Sequence, residues 1–145
     1  MASTLGYVLK YDDNSTDIPA GSVSNAQLAG SISGLGYVTG AGGTVTQLTS
    51  KSTGVTINKI CGAITTNNAA LAAGAEVKFT VTNSMVAATD VVALSIQSGG
   101  TSGSYLLTVG AVAAGSFDIV ISNASAGSLS QALIINFAII KAVTN

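Results

Sequence analysis

Apolar and polar residues alternate in short runs along most of this chain, and clusters of Gly, Asn and Ser separate the runs. In EVKFTVTN, Val77, Phe79 and Val81 fall on one side of an extended strand while Glu76, Lys78, Thr80 and Thr82 fall on the other, because successive strand side chains point to opposite faces. SFDIVIS repeats the arrangement with Phe117, Ile119 and Ile121. The spacing predicts strands over 44–48, 54–59, 62–66, 76–83, 90–97, 105–111, 117–122 and 131–143, with loops at 67–74, 98–103 and 123–127. Turn residues recur about every ten positions and no helical stripe of useful length exists. The fold expected is therefore all-β: an antiparallel, jelly-roll-like β-sandwich of about eight strands, occupying residues 44–145.

The last run, QALIINFAIIKAV, is apolar on both faces. Leu133, Ile135, Phe137 and Ile139 share one side, and Ile134, Ala138 and Ile140 share the other. It is too short to cross a bilayer as a helix, which takes about 20 residues, and Ile and Phe favour a pleated surface. A strand with two water-averse faces needs two covers. The sandwich supplies one, and the second is expected to be a neighbouring subunit.

Residues 1–43 lack this grammar and are expected to form an extended arm with a glycine-rich linker. Leu5, Tyr7, Leu9 and Tyr11 alternate with Gly6, Val8 and Lys10, the pattern of a short strand able to add to a neighbour's sheet edge. Asp12 to Ser15 reads as a turn, and Pro19 pushes Ile18 toward an extended conformation. Ser24 to Gln27 has capping-box spacing, so Asn25 to Ala29 is expected to make one helical turn. GLGYVTGAGG, Gly34 to Gly43, reads as a joint. The arm residues expected to touch a partner are Leu5, Tyr7, Leu9, Tyr11, Ile18, Leu28 and Tyr37; tyrosine buries much area at modest entropic cost.

A weak internal echo runs through the second half. Leu71-Ala-Ala-Gly74 leads through Phe79 to Asn83, and Val112-Ala-Ala-Gly115 leads through Phe117 to Asn123, with unequal spacing.

Composition narrows the functional classes. Only 8% of residues are charged, the net charge is -1, and the chain holds no His, Arg or Trp. No basic stripe is available to neutralise phosphates, so nucleic acid is not an expected partner. A membrane is not expected either. The single cysteine, Cys61, cannot close an intrachain disulfide and is expected to serve as a small buried apolar side chain. MASTLGYVLKYDD shows no basic segment followed by an apolar core, so synthesis in a cytoplasm is expected. A surface so poor in charge points to burial against partners.

Chemistry has little to work with. Without histidine there is no Ser-His-Asp or Cys-His arrangement, and one thiolate with scattered carboxylates does not build a tetrahedral zinc site. Asp12, Asp13 and Asp17 suggest a calcium loop, but the sixth and twelfth positions from Asp12 are Asp17 and Val23, where that loop needs Gly and Glu. The glycines of Gly34 to Gly43 lack the flanking strand, helix and Lys-Ser or Lys-Thr of a phosphate loop. Asn14-Ser15-Thr16 and Asn123-Ala124-Ser125 match the glycan acceptor pattern, as an Asn- and Ser-rich chain does by chance. No enzyme activity, cofactor or metal is expected.

Four phrases, GAGGTVTQ, TSKSTGVTIN, AALAAGAEVKFTVTNS and GSLSQALIINFAII, lie in a stretch from Gly40 to Ile140 that resembles a small β module of structural proteins in tailed bacteriophages. IPAGSVSNAQLAGSI, Ile18 to Ile32, is similar to linker phrases of phage fibre and head-decoration proteins. The resemblance implies a virion component on the outer surface of the capsid, made in the host cytoplasm. It would decorate and stabilise the head by bridging major capsid proteins, and would self-associate as a homotrimer or a dimer. The alternative it implies is a head-fibre or tail-fibre tip for host-surface attachment.

Overall fold

The computed structural model describes residues 36–37 and 40–142. Eight strands follow in order: β1 (Gly42–Thr46), β2 (Val55–Thr56), β3 (Cys61–Thr65), β4 (Glu76–Thr82), β5 (Val91–Gly99), β6 (Tyr105–Ala113), β7 (Ser116–Asn123) and β8 (Leu133–Ile140). They form two four-stranded sheets. Sheet A has the order β1-β3-β8-β5 and sheet B the order β2-β4-β7-β6. No helix occurs among the described residues. The all-β sandwich expected from the alternation is thus the architecture found.

Only β6 and β7 form a hairpin, turning through Ala114 and Gly115, whose φ of 84° suits a residue without Cβ. Every other connection passes from one sheet to the other, so alternate strands of the sequence line opposite walls of one core. Ile64, Leu133, Ile135, Phe137 and Ile139 of sheet A meet Phe79, Val81, Phe117, Ile119 and Ile121 of sheet B, all buried. Phe117 and Phe137 touch across the layers with ring centroids 5.6 Å apart and planes inclined by 49°, a tilted aromatic pair.

The expectation of a wholly antiparallel sandwich needs correction at one rim. The inner pairings β3–β8, β8–β5, β4–β7 and β7–β6 are antiparallel, but β1 runs parallel to β3 and β2 parallel to β4. The β1–β2 and β2–β3 connections each cross between sheets, which returns the chain to the same sheet in the same direction. Two boundaries move as well. Gly42 and Gly43 belong to β1, where Gly43 faces inward beside Ile57 and Lys59, so the sandwich begins inside the segment expected as linker. The strand expected over 54–59 shortens to Val55–Thr56.

Candidate interaction surfaces

The two sheets present different outer faces. On sheet A, Ile134, Asn136, Ala138 and Ile140 of β8 alternate with the core residues and point outward. Thr65, Ala63 and Cys61 of β3 stand beside the first three, and Ser95, Ala93 and Val91 of β5 stand beside the last three. Thr44 and Thr46 of β1 extend the face. No strand of sheet A contains a charged residue. Ile140 and Val91, adjacent across the ladder, are each 54% exposed, so two large aliphatic side chains lie open together.

Sheet B carries all the charge found within strands: Glu76, Lys78 and Asp118. Lys78 Nζ lies 2.9 Å from Asp118 Oδ2, Thr80 donates its hydroxyl to Asp118 Oδ1 at 2.7 Å, and Ser122 donates to Glu76 Oε1 at 2.8 Å. The Thr80 hydroxyl, and then Lys78, hold the Asp118 carboxyl below the usual carboxylate range. Such an exposed pair adds at most about 1 kcal/mol of stability, but it marks this face as one made for water.

Of the residues expected to touch a partner, Leu5, Tyr7, Leu9, Tyr11, Ile18 and Leu28 lie outside the described residues, as do Asp12, Asp13, Asp17 and Asn14. Tyr37 is described. Its ring is 42% exposed, while its hydroxyl donates to the carbonyl of Ile139 and so fastens the entry of the sandwich to the last strand.

Three polar features escape the alternation pattern. Asp90 is buried beside the end of β8, where its Oδ2 accepts from Lys141 Nζ at 2.6 Å and from the Ala87 N–H at 2.8 Å. The hydrogen bond from Lys141, then that from Ala87, lowers its pKa against the opposing effect of burial. Lys51, also buried, has no acid partner among the described residues and donates to the carbonyls of Asn67 and Gln131; burial lowers its pKa. Asn123 is almost wholly buried, and its Nδ2 donates to the carbonyls of Leu71, Ala72 and Gly127. That amide is committed to the fold, so the Asn123-Ala124-Ser125 match is no glycan acceptor in the folded chain. Cys61 corrects another expectation: it is half-buried on the outer face of sheet A, not within the core.

Two shallow depressions lie on the described surface. One of about 330 Å³ is lined by Gly40, Ala41, Asn58, Lys59, Ile60 and Met85. The other, about 290 Å³, lies by the β5–β6 loop and includes Ser98, Thr101 and Tyr105. Gly100 in that loop has a φ of 74°, and a Cβ there would meet Leu133 Cδ2 at 2.6 Å, so its glycine answers a packing need. Neither depression sets a nucleophile beside a base. No group of three or more His, Cys, Asp or Glu that could hold a metal occurs among the described residues. No helix among them is long and apolar enough to cross a membrane. Neither a family model, nor a curated protein, nor a solved structure matches the chain.

Proposed function

We propose that this chain is a structural virion protein of a tailed phage, one that decorates the head and stabilises it by bridging major capsid proteins. The observation that carries the reading is the uncharged outer face of sheet A, set against the charged, hydrogen-bonded outer face of sheet B. A neutral pleated face with open aliphatic residues loses little when it leaves water, since no ion is desolvated. The phage resemblance of Gly40 to Ile140 adds a class of partner. The sandwich matches a jelly roll in its eight strands and two four-stranded sheets, and departs from it in the parallel β1–β3 and β2–β4 pairings.

In this proposal the sandwich self-associates, as a trimer, and residues 1–36 lie across neighbouring subunits. Genome pressure pulls capsid subunits apart. An oligomer that grips several of them must lose several contacts together before a seam opens, so modest interfaces add to a tight clamp. The direct test is to add purified protein to heads that lack it and count bound copies. Hundreds per head, with a raised temperature of head rupture, support the reading. Failure to bind heads overturns it, and a few to a few dozen copies per virion would assign the chain to a fibre instead. Chain lacking residues 1–30 should fold and self-associate yet no longer protect heads from heat or low salt.

A further inference from the structure

Four strands form the rims of the two sheets. β2 has two residues, β1 has five, and β6 is interrupted by an irregularity between Val109 and Val112. β5 differs from all three. It keeps continuous register with β8 from Val91 to Ile96, its irregularity comes only after that, and it contains neither proline nor charge. Exposed edges in natural sheets are ordinarily blunted by shortness, charge, proline or cover, because an open row of N–H and C=O groups invites another strand.

The outward groups of β5 can be read from β8. Ile139 donates its N–H to the carbonyl of Ile60 at 2.8 Å, on the β3 side. Its opposite residue on β5 is Val92, so that pair exchanges no hydrogen bond, and the N–H and C=O of Val92, Leu94 and Ile96 turn away from the sheet. Side chains of the same three residues point into the sandwich, and their cover thins along the strand. Val92 is 8% exposed, Leu94 is half-buried and Ile96 is 38% exposed. One added strand would supply partners to the backbone and cover to Leu94 and Ile96 together.

We infer that Leu5–Tyr11 of a second copy docks as an added strand on the edge of β5 that no other described strand pairs, an inference that rests on the self-association proposed above. Leu5, Tyr7, Leu9 and Tyr11 would continue the apolar inner layer past Leu94 and Ile96, while Gly6, Val8 and Lys10 would continue the outer face beside Ala93 and Ser95. Main-chain bonds give such an added strand its affinity, and alternate side chains give it register. Residues 12–36 form a tether of up to about 85 Å at ~3.4 Å per residue, several times the ~20 Å width of a four-stranded sheet. That tether ends at Tyr37, held at Ile139 on the β3 side of β8, while the open edge lies on the opposite side.

The test uses full-length chain with Cys61→Ser. One copy, mass-tagged, carries Val8→Cys, and a second carries Ala93→Cys or, to allow a two-residue shift, Ser95→Cys; the two are expressed together and mildly oxidised. A disulfide joining tagged to untagged chain is the expected result. In parallel, amide exchange at Val92 and Leu94 should be at least a hundredfold faster in a Leu9→Pro variant than in the parent, since proline removes a donor from the added strand. An oligomer with no bond between copies and unchanged exchange overturns the inference while leaving self-association standing. A double variant, Val8→Cys with Ala93→Cys, that closes only within one chain also overturns it. Crosslinked oligomers that ignore phage heads would sink the decoration reading alone.

Discussion

Asn83 and Asn123 close opposite ends of the β4–β7 ladder: the Asn83 N–H donates to the Gly115 carbonyl at 2.9 Å, and the Asn123 carbonyl accepts from the Gly74 N–H at 3.0 Å. The two loop-to-strand phrases echoed in the sequence therefore lie antiparallel, each one's glycine turn bound by the other's terminal asparagine. Both side chains then fold back in the same way, Asn83 Oδ1 accepting from the Met85 N–H and Asn123 Oδ1 from the Ser125 N–H, each at 2.9 Å. An asparagine that bonds its own backbone two residues on makes a turn without needing a positive φ.

The two asparagines should not be equally important. Asn83 Nδ2 serves one carbonyl, that of Lys59, whereas Asn123 Nδ2 serves three. Alanine also removes the Oδ1 acceptor, which takes one bond at Asn83 and two at Asn123, both from Ser125, and the two amide hydrogens of Asn123 are shared among its three carbonyls. With a net value of about 1 kcal/mol per hydrogen bond, Asn123→Ala should cost about 4 kcal/mol and Asn83→Ala about 2 kcal/mol. Denaturant unfolding of the two variants checks the ranking, and equal losses would mean that the carbonyls of Leu71, Ala72 and Gly127 find water instead.

Acid should loosen the end of β8 through Asp90. Its carboxyl titrates below the ordinary value of 3.8 because the charged form accepts from Lys141 and Ala87. A folded-state pKa below the unfolded one gives stability that is complete above the unfolded pKa and is lost as pH falls through the folded one. Melting temperatures of the parent and of Asp90→Asn, compared from pH 6 downward, should differ by a constant amount until about pH 4 and converge below it. Asp118→Asn should show a smaller gap with the same sign, because the Asp118 side chain is 16% exposed against 2% for Asp90.

Lys51 depends on pH with the same sign, in an alkaline window. Burial lowers its pKa from 10.5, so the unfolded chain binds the proton more tightly than the folded chain. Stability then rises with pH between the lowered folded pKa and 10.5. Measured against Lys51→Met, which carries no titrating amine at that site, the parent should gain stability as pH climbs through that window. A difference independent of pH would show that the carbonyls of Asn67 and Gln131 compensate the buried charge in full.

How much of this was legible in the sequence follows from what alternation encodes. Period two located eight strands within a few residues and identified Phe79, Phe117, Ile135 and Phe137 as core, because inward side chains announce themselves by type. It could not show that β1 and β2 pair in parallel, since register and direction belong to two strands at once. It also gave no sign that Gln47, inside the strand expected over 44–48, donates to the carbonyls of Lys51 and Thr53 and accepts from the Asn67 N–H in one buried knot. Polar residues buried by their bonds to backbone look like solvated ones in a string of letters. The Asp90–Lys141 pair spans 51 positions and left no local sign.

Phe137 and Ala138 are sequence neighbours on opposite faces of β8, so they separate folding from assembly. Phe137 is 3% exposed and packs on Phe117, and Phe137→Ala should cost about 3–5 kcal/mol. Phe137→Asp, like Ile135→Asp, should abolish folding, since an unpaired charge would enter a site without a cation. Ala138 faces outward between Cys61 and Ala93 at the centre of the uncharged face. A lysine there can extend its charge to water from a lone sandwich but not from a face pressed against another copy. Ala138→Lys should therefore keep a melting temperature within a few degrees of the parent while reducing the oligomer to smaller species by light scattering. Thr80→Lys, on the already charged face of sheet B, should leave the oligomer intact. An unchanged oligomer in Ala138→Lys would show that copies meet elsewhere than on sheet A.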